Sequence, residues 1–133
     1  MIRYSFIFSI IIFAMIFLSW SNQKDPIAGT WKGTSLCQVK DSPCHDEIAV
    51  YHAVKLPGGK TYNFQMNKMV NGKEEEMGML SFAYDDAEKT LTATSPGKVK
   101  GRWKFKVNGN RIHGTLTIGD STLYRIIEIQ KAD

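Results

Sequence analysis

The chain lacks most of what catalysis and nucleic-acid binding demand. It has only two cysteines in 133 residues. No C-x-x-C is present, which excludes a thioredoxin-like redox centre. No nucleophile–base pair, carboxylate pair or phosphate-cradling glycine loop stands out, so the expectation is a binding protein and not an enzyme, with no cofactor. Charge is nearly balanced: 17 basic against 13 acidic side chains give +4, too mild to require an anionic polymer as partner. Beyond the first twenty or so residues no stretch keeps a helical period, which argues against helix bundles and α/β folds.

What is present begins with an address. Arg3 and the amino terminus precede an apolar run, Phe6 to Leu18, broken only by Ser9. Small Ser19 and Ser21 flank Trp20, and polar Asn22-Gln23-Lys24-Asp25 follows. This order predicts a signal peptide over 1–21, cleaved after Ser21, and export of the rest to a periplasm or the exterior. An uncleaved membrane anchor is the alternative, although the run is short for a span of about 20 residues. Residues 22–133 form one domain, expected to be monomeric. Export rules out a nucleic-acid partner and changes the reading of "CQVKDSPCHDE". A zinc half-site commonly shows C-x2–4-C, whereas Cys37 and Cys44 are separated by six residues with only His45 adjacent. A Cys37–Cys44 disulfide with no metal is the first reading. A metal site and free thiols are the alternatives. Asp41-Ser42-Pro43 supplies turn chemistry for the approach.

From residue 28 onward turn signals recur: Pro57-Gly58-Gly59, Asn71-Gly72, Asp85-Asp86, Pro96-Gly97, Asn108-Gly109-Asn110 and Gly119-Asp120. The alternating runs between them predict strands over 28–37, 46–56, 60–70, 73–84, 89–95, 98–107, 111–118 and 121–130. Successive antiparallel strands must bury one face and protect two edges. An all-β, eight-stranded, antiparallel up-and-down barrel does both.

Alternation then assigns an interior. Ile48, Val50, His52 and Val54 are expected inside, with Tyr62, Phe64 and Met66, and Leu80, Phe82 and Tyr84. Val99, Trp103, Phe105 and Val107 follow, then Ile112, Gly114, Leu116 and Ile118, then Leu123, Arg125, Ile127 and Ile129. Lys98, Lys100, Arg102, Lys104 and Lys106 face outward as a basic stripe.

"IAGTWKGT" places Gly29-x-Trp31 in the first strand, and "LYRIIEIQK" places Arg125 in the last. With eight strands, this resembles the calycin superfamily of lipocalins and fatty-acid-binding proteins. The resemblance implies that Trp31 plugs the closed barrel end and that Arg125 lies across its indole, a cation–π contact. The Cys37–Cys44 loop stands where fatty-acid-binding proteins have a helical lid. The lipocalin T-D-Y motif is absent, and the sequence stops at "QKAD" without the helix that follows typical lipocalin barrels.

The expected function is binding of a small hydrophobic or amphipathic molecule inside the barrel. Gly33, Gly101 and Gly114 leave room, and His52, Tyr62, Phe64, Tyr84 and Trp103 border the pocket. The alternative is an envelope-associated interaction or inhibitor module that acts through the rim loop or through the basic stripe, which would meet an acidic protein or a membrane surface.

Overall fold

The computed structural model describes residues 24–97 and 100–133. The expected signal peptide lies outside the described residues, as do Lys98 and Val99. Eight strands follow one another: β1 Gly29–Cys37, β2 Glu47–Lys55, β3 Thr61–Val70, β4 Lys73–Asp85, β5 Thr90–Ser95, β6 Gly101–Asn108, β7 Arg111–Ile118 and β8 Thr122–Lys131. Each pairs antiparallel with the next, and β8 returns to β1 to close a barrel. The turn chemistry acts as read. Asn71 and Gly72 both take positive φ, 52° and 76°, as a two-residue hairpin between the paired Val70 and Lys73 requires.

The middle of the barrel is filled. Phe64, Phe82 and Phe105 are fully buried, with ring centroids 4.7 Å apart for Phe64–Phe82 and 4.8 Å for Phe82–Phe105. Burial of one such ring stabilises by roughly 1.5–3 kcal/mol. Gly114 faces this cluster because a Cβ there would come within 2.4 Å of the Phe105 ring. All three glycines expected to leave room are thus already covered: Phe105 occupies the space over Gly114, Ser95 Oγ that over Gly101, and the Glu128–Ile129 backbone of β8 that over Gly33.

The assignment of faces holds for β3, for β4 between Leu80 and Tyr84, for β6 from Trp103 onward and for β7. It is reversed in β2. Ala49, Tyr51 and Ala53 point inside, while Ile48 and Val54 are 59% and 61% exposed. Both faces of β2 are apolar, so hydrophobicity could not choose. Pairing with β1 does: Tyr51 sits opposite Trp31, with the small pairs Gly33–Ala49 and Gly29–Ala53 on either side. Two bulges re-aim other residues. One extra residue at Met77 shifts the β3–β4 register between Met66 and Asn67. Another, at Tyr124, turns Leu123 outward while Arg125, Ile127 and Ile129 remain inside.

The wall is also uneven. β4 and β5 pair only at Ala83–Thr92, Tyr84–Leu91 and Asp85–Thr90. Beyond those pairs they part, and Lys73–Phe82 keeps a ladder on the β3 side alone.

Candidate functional site

The two barrel ends are built differently. At the end where β1 begins, the segment before it folds across the opening. Asp25 Oδ1 accepts from the backbone N–H groups of Ile27 and Ala28, both at 2.8 Å. Tyr62 donates its hydroxyl to the same carboxylate at 2.8 Å. Burial opposes charge on Asp25, but the Ala28 and Ile27 amides, Tyr62 and nearby Lys55 outweigh it and hold its pKa below the usual carboxylate value. Ile27 is fully buried, and its carbonyl accepts from Trp31 Nε1 at 2.8 Å. Every polar group named here is paired, so this end is a plug.

Trp31 therefore occupies its expected place, but Arg125 does not cover it. In the β1–β8 register Trp31 pairs with Lys131 and Arg125 pairs with Cys37, six residues and about 20 Å further along the strand. Lys131 takes the position over the indole, Nζ 5.7 Å from the ring centroid. Gly29 matters for a local reason: its φ is 135°, and a Cβ there would approach Asp133 to 2.6 Å.

Arg125 instead sits at the opposite end, largely enclosed. Its guanidinium donates to the Ser35 carbonyl and hydroxyl, both at 3.3 Å, and to the His45 carbonyl at 2.9 Å. A further bond to Glu47 Oε1 at 3.2 Å makes an ion pair whose side chains are only 11% and 13% exposed. The Cys37–Cys44 disulfide adjoins this cluster, closing the loop with Cα atoms 5.8 Å apart. The loop is tied to the rim by the bond from Cys37 N–H to Asp46 Oδ1 at 2.8 Å.

Between this cluster and the aromatic core lies a hollow of about 300 Å³, lined by Ser35, Glu47, Tyr51, Met66, Met77, Gly78, Met79, Leu80, Ser95, Trp103, Leu116 and Arg125. Burial, helped by the Glu47 charge and opposed by Ser35 and Arg125, pushes the Tyr51 phenol up to about 12, so it stays protonated. Among the described residues Trp103 Nε1 is buried without a partner. Gly78 faces Met66 across the ladder, and a Cβ on it would meet nothing within 4 Å.

Of the five residues expected to border the pocket, only Trp103 does. Tyr62 belongs to the plug, Tyr84 packs edge-on against it with centroids 6.1 Å apart, and Phe64 fills the middle. His52 is on the outer face, a consequence of the β2 reversal. Its Nδ1 lies 3.0 Å from Thr30 Oγ1 and its Nε2 lies 2.6 Å from Glu74 Oε1. That bond is the main cause lowering the Glu74 pKa. Ser35 is buried and lines the hollow. Glu47, Tyr51 and Gly78 were missed. The G-x-W tryptophan held the signal, because it fixes the face of β1 and, through pairing, that of β2. Lys100, Arg102, Lys104 and Lys106 are exposed on the outer face as expected. Compared with known proteins, the chain matches no family model, no curated protein and no solved structure.

Proposed function

We propose that the chain is an exported, lipocalin-like barrel that binds a small, uncharged amphipathic molecule at its hollow end. The carrying observation is Trp103, which lines a largely apolar hollow and whose buried Nε1 donor has no partner among the described residues. An unsatisfied buried donor costs about 1–3 kcal/mol, which a guest's carbonyl, ether or hydroxyl oxygen would recover. Met66, Met77, Leu80 and Leu116 would meet its apolar part, methionine adapting to irregular shapes. Arg125 and Glu47 neutralise each other, so a free carboxylate would be drawn by one and repelled by the other. That balance favours an uncharged polar group. The volume sits near the lower limit of about 300 Å³ for ligand pockets, which suits a compact ring or a short chain. Export is supported by the apolar leader and by the Cys37–Cys44 disulfide, which persists in oxidising compartments.

Titration with 6-propionyl-2-(dimethylamino)naphthalene, an uncharged fluorescent naphthylamine that carries a ketone oxygen, tests the reading. Wild type should saturate at one probe per chain. Gly78→Leu should keep its melting temperature and weaken binding about tenfold, because its side chain enters open space. Absence of saturation in wild type would reject the reading.

A further inference from the structure

We propose that the free edge of β4, Gly78–Phe82, accepts an extended peptide of alternating apolar and acidic residues as an added strand. The edge exists because the β4–β5 ladder stops at Ala83–Thr92. Among the described residues no turn or loop backbone bond covers Met77–Phe82. Exposed edges are normally blunted by charge, proline or a bulge. The first part of β4 is blunted in this way, by Lys73, by Glu74-Glu75-Glu76 and by the bulge at Met77. Gly78-Met79-Leu80-Ser81-Phe82 carries no charge, proline or bulge, and Met79 is 56% exposed.

The two sides of the slot define the partner. An added strand sends alternate side chains to opposite faces. Inward ones would enter the hollow beside Met66, Trp103 and Leu116, where the lining is mostly apolar. Outward ones would cross a groove of about 600 Å³ that holds Arg102 and Lys104 among Thr92, Thr94, Thr115 and Thr117. Among the described residues no carboxylate lies within ion-pair distance of Lys100, Arg102 or Lys104. The outward positions therefore take glutamate or aspartate. This inference rests on the backbone edge and does not require the small-molecule reading, although the two guests share the mouth of the hollow.

The test is calorimetric titration of the full chain with an acetylated, amidated heptapeptide of alternating glutamate and valine. Saturable binding in the range of about 1–100 µM is expected. The lysine–valine analogue should bind at least about tenfold more weakly, and Arg102→Glu with Lys104→Glu should reverse that preference. An added antiparallel strand bonds through every second residue. N-methylation of alternate peptide amides should therefore abolish binding in one phase and spare it in the other. Amide exchange should slow within Gly78–Phe82. No saturation, equal binding of both methylated phases, or protection elsewhere would overturn the proposal. So would a dimer through β4 that the peptide fails to dissolve. Naphthylamine binding without peptide binding defeats this inference alone, and the converse defeats the small-molecule reading alone.

Discussion

The two tryptophans of the barrel are nearly opposites. Trp31 is fully buried, donates to the Ile27 carbonyl and lies under Lys131 at an end where the polar groups are paired. Trp103 stands where the wall parts and lines a hollow, its buried indole N–H unpaired among the described residues. One barrel thus spends its local consistency on a plug and leaves its inconsistency at the other end. Departures from complete packing and pairing concentrate where a protein binds something. The difference teaches that stability and binding reside at different ends and can be damaged separately.

Trp31→Ala should be the costliest change. It empties the plug and should lower stability by about 3–5 kcal/mol, read by denaturant unfolding, with naphthylamine affinity unchanged in the protein that remains folded. Arg125→Ala should cost about 2–3 kcal/mol, because it leaves Glu47 enclosed without its counter-charge. Arg125→Leu combined with Glu47→Leu should recover to within about 1 kcal/mol of wild type. If the double variant is no better than the single, the ion pair contributes more than mutual neutralisation.

Asp25→Asn should cost about 1–2 kcal/mol at neutral pH. The sign with pH follows from its lowered folded-state pKa. The stabilisation is complete above the unfolded value of about 4 and is lost as pH falls through the lower folded value. Wild type and variant should therefore converge in acid, as melting temperatures from pH 7 down to pH 2 would show. The smallest effect on stability is expected from Trp103→Phe. It removes the orphan donor and should shift stability by no more than about 1 kcal/mol, yet weaken probe binding about tenfold.

These contrasts bear on how much of the molecule could be read in advance. Strand count, order and closure were legible because Asn71-Gly72 and its counterparts punctuate clear alternations. The disulfide was legible because Cys37 and Cys44 had no other short-range partner. The site was far less so. Its position depends on which face of β2 turns inward, and Ile48-Ala49-Val50-Tyr51 is apolar on both. The bulges at Met77 and Tyr124 leave no compositional mark, yet they set which residues of β4 and β8 reach the interior. Arg125 was correctly taken as inward. It was assigned to the wrong end because the resemblance supplied a role without the register, and the β1–β8 pairing gives that role to Lys131.

The most direct measurement is a naphthylamine titration followed by NMR at the indole N–H resonances of Trp31 and Trp103. The account predicts that the Trp103 signal moves with saturation as its proton gains an acceptor, while the Trp31 signal stays where the Ile27 carbonyl holds it. Movement of Trp31, or of neither, would contradict the assignment of binding to the hollow end.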